Sequence, residues 1–378
     1  MNVHLNHAGA GPASPHIVTA VADYLRRESE QGSYELEAEF AEVFDDEVYR
    51  LVARLLNANI SDIAIFGSAT AGWLASVQAI PLTPTDEVWV SPYEYAGNLI
   101  ALAQLRRRVG FTMRTIPLDA HGDLDLDWMD SNITEHLALV SVPHVPSGCG
   151  IINPVEAIGQ LLTDSRTFFV VDGCQAVGQV AVDVAAIGCD VYTGAGRKFL
   201  RGPRGTGFAA TSARFRQATD HQYRDLHVAS TTPMPLAETI LHDNSARGWE
   251  IAERNPATIY GLTLALREHF AVTPAPYTTN NGDLLRTQLS TLLPQNRFVD
   301  PGTNKSNIVT IDTAPVPPAH VVEELRSAGF NTWVMTGADT PTYMSSRHIE
   351  KGVRISPHYD TAREDIAAFC HLFASTIE

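Results

Sequence analysis

The 378-residue chain has only three lysines, Lys198, Lys305 and Lys351, among its 27 basic residues. Any chemistry that needs a lysine amine therefore has three candidates. Cysteine is equally scarce. Cys149, Cys174, Cys189 and Cys370 show no CxxC or Cys/His ligand spacing, so neither a zinc site nor a disulfide framework is indicated. A reducing, cytoplasmic setting is the expectation. Positive charge is short as well. A formal net charge of -16 argues against nucleic acid and anionic membranes as main partners. No apolar run reaches the length of a membrane helix, and the N-terminal stretch has no basic region followed by an apolar run. The 14 histidines show no HExxH or comparable cluster, so no metal is expected.

What remains is the composition of an ordinary globular protein, with 44% apolar and 19% charged residues. The length allows a large core and two lobes. From about residue 15 to 260, strands and helices alternate, which predicts an α/β fold with a mostly parallel sheet. Glu87 to Ser91, Phe111 to Leu118, Leu137 to Val142, Phe168 to Asp172 and Gly207 to Thr211 read as short buried strands. Thr70 to Ala79 and Val155 to Leu162 read as helices between them. Asn307 to Asp312 reads as a strand and Pro318 to Ala328 as a helix opened by proline. Thr361 with Glu364 reads as a capping box that opens the last helix. The expected organisation is an arm over 1–14, a large domain over 15–260 and a small α+β domain over 261–378, with a ligand cleft between the lobes.

The chemistry concentrates between Phe168 and Phe208. A buried apolar strand ends in Asp172, and Gln175 follows. A second apolar segment ends in Asp190. Lys198 then sits in the Gly-rich stretch GAGRKFLRGPRGTG. A carboxylate at a strand's C-terminal end lies at the mouth of an α/β sheet, where ligands bind. Asp172, Gln175, Lys198, Gly202, Pro203, Gly205 and Gly207 together resemble the D-x-x-Q … K … G-P-x-G-x-G pattern of the class V, cysteine-desulfurase-like aminotransferase family.

The resemblance implies a fold-type I enzyme that uses pyridoxal 5'-phosphate (PLP), bound by the large domain. It implies that Asp172 pairs with the pyridine nitrogen, Gln175 bonds the ring hydroxyl and Lys198 carries the cofactor as a Schiff base. Arg197 stands where the family usually has His, and arginine also suits phosphate.

Further segments extend the likeness. FGSATAGWL, a small-residue loop entering a helix, places Ala69 and Thr70 where the family binds the cofactor phosphate. In SPYEYAGN, Tyr95 falls where the family stacks an aromatic residue on the ring, with Tyr93 as the lesser candidate. Ser147, in PHVPSGCGIINP, replaces an Asn near the ring hydroxyl, and Cys149 beside it reads as packing. Arg354, in VRISPHYDT, falls where the family clamps the substrate α-carboxylate. The LNHAGAGPAS segment resembles one that brings the His7 to Gly9 backbone near that carboxylate. Trp249 and Glu250 match an F-E pair. The Gly-Thr that follows in the family is replaced by Glu253, Arg254 and Asn255, where Arg254 or Asn255 takes the contact to the partner's phosphate.

Family desulfurases need a cysteine on a loop before the C-terminal arginine, and Asn331 to Gly352 has none. Cys189, just before Asp190, reads as a structural residue inside the sheet. The GSATAGW loop and RISPH ending resemble members that handle cysteine conjugates, such as ergothioneine C–S lyases and lincosamide-assembly enzymes. The implied activity is C–S β-elimination from an S-substituted cysteine. Decarboxylation, transamination or epimerisation on the same scaffold is the alternative. The resemblance further implies a homodimer.

Overall fold

The computed structural model describes residues 2–220, 229–231, 240–242, 244–272 and 280–377. A seven-stranded sheet forms the centre. Its strands are β1 (Ile63–Phe66), β2 (Glu87–Val90), β3 (Thr112–Thr115), β4 (Leu137–Pro143), β5 (Phe168–Asp172), β6 (Val191–Ala195) and β7 (Gly207–Thr211). Their spatial order is β1-β7-β6-β5-β4-β2-β3. The run from β3 to β6 is parallel throughout, and β7 is antiparallel to both of its neighbours. Every residue of β4 and β7 is buried, which is why these segments read as apolar runs rather than as alternation, and β6 is buried throughout as well. The chain is an α/β protein with a mostly parallel central sheet.

A smaller three-stranded antiparallel sheet contains β8 (Val309–Ile311), β9 (Trp333–Thr336) and β10 (Lys351–Ile355), in the order β8-β10-β9. Helices Asn281–Leu292, Pro318–Ser327 and Arg363–Ile377 bury Leu289, Leu325 and Phe373 in one core with Val353 and Ile355 of β10. The N-terminal arm joins this unit. Val3–His4 pairs in parallel with Phe330–Asn331, and Leu5 enters the same core.

Four sequence expectations are corrected. The boundary at residue 260 falls inside the helix Pro256–Ala271, whose Leu262 and Leu266 belong to the large core, so the small unit begins beyond it. The apolar segment before Asp190 is not a strand. Asp183 caps a helical turn over Val184–Ile187, Gly188 ends it at φ +66°, and β6 starts after Asp190. Cys189 thus lies outside the sheet, and the Asp190 carboxylate takes the Phe169 N–H at 3.0 Å and pairs with Arg214. The last helix starts at Arg363, because the Thr361 hydroxyl accepts from the His358 N–H instead of capping it. No described helix is long and apolar enough to cross a membrane.

Candidate active site

The C-terminal residues of β4, β5 and β6, namely Pro143, Asp172 and Ala195, open onto one cavity of about 370 Å³. This is where an open α/β sheet presents its ligand site. The cavity wall also includes Lys198, Arg197, Gln175, Ser147, Tyr95, Ala69, Thr70, Gly9 and Arg354. Ten of the eleven residues singled out in the sequence therefore converge.

Asp172 is held at its strand end by two donors. The Cys174 N–H reaches Oδ1 at 2.9 Å, and the Asn98 amide reaches Oδ2 at 3.1 Å. Lys198 follows β6 in the loop that returns to β7. Burial lowers its pKa below the usual lysine value; Asp172 opposes the shift, and Arg197 and Arg354 add to it. A lysine amine with a lowered pKa is more often neutral, as a nucleophile or base must be. Cys174 also lines the cavity, but burial, reinforced by Asp172, pushes its thiol well above the usual value.

The opposite end is built for an anion. Ser68 caps the helix Ala69–Ala79, accepting the Ala71 N–H at 3.1 Å, and the Gly67–Thr70 turn faces the cavity. The first N–H groups of a helix have no intrahelical acceptor and suit a phosphate. Strand β7 passes so close that a Cβ on Gly207 would lie 2.2 Å from the Ala69 nitrogen. Only glycine allows that approach. Arg204 lines the same cavity beside Arg197, and sequence reasoning passed over it as the variable position of G-P-x-G. The Arg197 guanidinium itself donates to the Gly9 carbonyl, tying the lysine loop to the arm.

Arg354 supplies the second cationic pole. It sits on β10 and is only 4% exposed. Its Nη1 donates to the Ser147 carbonyl at 2.8 Å and lies 3.2 Å from the Ser147 hydroxyl. Burial brings its pKa down to about 10. Gln175 donates to the Ala8 carbonyl at 3.0 Å and to Ser147 at 3.3 Å. His7 is the residue that the fold does not bring to the cavity. Its buried ring stacks on His358 at 4.7 Å, while Asn6, Ala8, Gly9 and Ala10 line the wall. Tyr93 is also elsewhere, buried with its hydroxyl on the Gly122 carbonyl. Cys149 is buried, as packing requires. Arg254 and Asn255 border a separate groove that shares Gly67 and Gly205 with the cavity.

The residues fit PLP. Buried polar atoms are costly when unpaired. Gln175 Oε1 and Arg354 Nε, on residues that line the cavity, have no partner among the described residues. One is an acceptor free for a ring hydroxyl, and the other is a donor free for a carboxylate. The helix N-terminus with Arg204, the Asp172 carboxylate and the Lys198 amine match phosphate, ring nitrogen and aldehyde in turn.

Residues 3–369 match the family described as aminotransferase class-V. A protein of Halobacterium salinarum named "Probable cysteine desulfurase" is 30% identical over 211 residues, 54% of this chain and 51% of that protein. The mitochondrial cysteine desulfurase of Drosophila melanogaster is 29% identical over 249 residues, 62% of this chain and 53% of that protein. The matches thus span about half the length of these curated relatives. The structure of a cysteine desulfurase from Thermococcus onnurineus NA1 superposes with a TM-score of 0.87 at 20% identity, covering 100% of this chain and 94% of that one. A cystine C–S lyase, solved with its product cysteine persulfide, superposes with a TM-score of 0.85 at 17% identity, covering 99% and 97%. At such identities the superpositions show the fold. The chain belongs to the aminotransferase class-V family of fold-type I PLP enzymes.

Proposed function

We propose that this chain binds PLP through Lys198 and cleaves the C–S bond of the cysteine portion of an S-linked conjugate by β-elimination. Reactions of this kind occur in thiol and secondary-metabolite biosynthesis, such as ergothioneine or lincosamide assembly. The observation that carries the reading is the convergence of Lys198, Asp172 and Arg354 on one cavity, where burial pushes the lining Cys174 thiol towards its neutral form.

When bound, the cofactor draws electron density from the substrate α-carbon. Arg354 takes the α-carboxylate on its free Nε and a terminal nitrogen. Lys198 Nζ, its pKa lowered, accepts the α-proton. The electron pair of that C–H bond forms the Cα–Cβ double bond as the C–S bond breaks, and its electrons leave on sulfur. The sulfur product leaves protonated, and the unsaturated amine hydrolyses to pyruvate and ammonia. Asp172, oriented by Asn98 and the Cys174 N–H, holds the ring nitrogen. Tyr95, at the cavity wall and 40% exposed, supplies the aromatic face.

Persulfide formation on the enzyme is disfavoured. The stretch Asn331 to Gly352 carries β9 and the short helix Pro341–Ser346 but no thiol. A homodimer is part of the proposal, supported by the groove beside Gly67 and Gly205, where Leu25 and Ile251 are exposed. A cytoplasmic location completes it.

The test is the visible absorbance of the PLP-loaded protein beside Lys198→Ala, followed by addition of S-substituted cysteines. The expected result is a Lys198-dependent band that shifts on addition, with pyruvate released without any amino acceptor. A shift without pyruvate transfers the assignment to decarboxylation, transamination or epimerisation. An unchanged spectrum in Lys198→Ala refutes the cofactor lysine.

A further inference from the structure

Behind Asp172 lies a second carboxyl group that the reaction as described does not use. Glu94 follows β2 and is wholly buried. Burial has a cost that hydrogen bonds must offset, and a charge needs more of them. Glu94 has three. Its Oε1 accepts from the Asn98 amide at 2.9 Å and from the Tyr95 N–H at 3.0 Å. Its Oε2 accepts from the Ser141 hydroxyl of β4 at 2.8 Å.

The Asn98 amide nitrogen is shared. Its two hydrogens go to Glu94 Oε1 and to Asp172 Oδ2, so one buried side chain bridges two carboxyl groups. Neither carboxyl has an ion-pair partner among the described residues. Two buried carboxyl groups joined by a neutral amide are an unbalanced arrangement whenever both are ionised. Apolar residues of the same size would be cheaper there. The arrangement becomes balanced when a cation meets the remaining lone pairs of Asp172, and Asp172 is the carboxylate that faces the cavity.

We propose that Glu94, acting through Asn98, is a positioning residue that fixes Asp172 and keeps the cofactor's ring nitrogen protonated. Glu94 holds the Asn98 amide in the one orientation that donates to both sides. It also adds negative potential one hydrogen bond behind Asp172, which raises the proton affinity of a nitrogen paired with Asp172. Tyr95, the residue at the aromatic position, is anchored by its N–H to the same carboxyl. The orientation of two cofactor-facing residues therefore passes through Glu94. The inference rests on the cofactor's seat and not on which substrate bond breaks.

The experiment uses the full chain loaded with PLP labelled with nitrogen-15 in the ring. The nitrogen chemical shift is followed against pH for wild type, Glu94→Gln and Asn98→Ser, without substrate. In Glu94→Gln, which keeps size and removes charge, the ring nitrogen is expected to lose its proton at least about one pH unit lower, a tenfold weaker hold on the proton. Asn98→Ser, which breaks the bridge but keeps the carboxyl, is expected to move in the same direction. A purely structural role would change the melting temperature and leave the titration in place. A titration identical to wild type in either folded variant overturns the proposal. If one variant does not fold, the other is read in the same way. The C–S cleavage reading can fail its pyruvate assay without affecting this result.

Discussion

Replacing Arg354 by methionine separates the substrate clamp from the stability of the fold, because the two move in opposite directions. The guanidinium is 4% exposed and bonds only to Ser147 in the described structure, with Nε unpaired. A substrate carboxylate would gain two charge-assisted hydrogen bonds, each worth about 1.5–3 kcal/mol. Their loss weakens binding of the α-carboxylate by roughly 3–6 kcal/mol, on the order of a hundred- to ten-thousandfold. Stability follows another balance. Lowering the pKa of Arg354 to about 10 means that burying its charge costs about 3 kcal/mol at neutral pH. For a base lowered in the fold, that cost is fully present below the folded pKa and fades only as pH rises from there towards the ordinary arginine value. Methionine relieves it but leaves the Ser147 carbonyl without its donor, a loss of about 1–2 kcal/mol. The apoprotein should therefore melt at or slightly above the wild-type temperature. The assay pairs calorimetry of the apoprotein with titration of the PLP-loaded protein by a cysteine S-conjugate, followed through the visible band. A variant that binds the conjugate within threefold of wild type refutes the clamp. A variant that melts several degrees lower refutes the stability reasoning.

Glu94 has its carboxyl pKa pushed up to about 7 by burial, with Asp172 adding to it, so its contribution to stability is present below about 4.5 and lost as pH rises to about 7. Urea unfolding of the apoprotein at either end of that range should show wild type losing stability relative to Glu94→Gln; parallel curves would count against an ionisable buried Glu94. In Gly207→Ala the new methyl collides with the Ser68–Ala69 backbone, costing about 1–3 kcal/mol and at least tenfold in PLP affinity; equilibrium dialysis showing wild-type affinity would remove the phosphate from that turn. Asp190→Ala removes the acceptor of the Phe169 N–H and the carboxylate partner of Arg214 at the N-terminal ends of β5 and β6, the end of the strands away from the cavity. It should cost about 3 kcal/mol in denaturant unfolding and leave the spectrum of the loaded protein unchanged.

The cofactor side of the cavity was legible because its residues lie at fixed offsets along one strand–loop–strand run. Asp172, Gln175 and Lys198 cannot change spacing without losing the cavity, so a pattern in sequence survives as a pattern in space. Arg204 lies inside that run, at its variable position, but Asn6, Trp333 and Asp339 line the same cavity from other elements, and no spacing links them before the chain folds. Glu94 and Asn98 were written in SPYEYAGN beside Tyr95, yet nothing in that string shows that the Asn98 amide reaches Asp172 from another element. The misreading of the segment before Asp190 has a local cause. VAVDVAAIG is apolar enough for a strand, but Asp183 caps a helical turn and Gly188 takes the left-handed conformation that ends it. His7 was drawn in by adjacency, since Ala8 and Gly9 on either side of the turn do reach the wall.

The arm explains why the two cationic poles of the site are not independent. Gly11 donates to the Arg197 carbonyl at 2.8 Å, and the Arg197 guanidinium returns a bond to Gly9, so the arm is locked to the residue before Lys198. A few residues earlier, Ser356 donates to the Leu5 carbonyl at 2.7 Å and the Ala8 N–H donates to the Ser356 hydroxyl at 3.0 Å. Ser356 lies two residues beyond Arg354. His358 then closes the circuit, with Nε2 2.9 Å from the Phe199 carbonyl and Nδ1 2.9 Å from Asp360. The lysine loop belongs to the large sheet and the arginine strand to the small one, and the arm joins them alongside the direct Arg354–Ser147 and His358–Phe199 bonds, which helps to set the distance between them. A base and a carboxylate clamp acting on one α-carbon need that distance fixed. In the proposed reaction the arm's backbone would help to hold that geometry, while the His7 ring stacks on His358 and lies 3.2 Å from the Ser356 carbonyl.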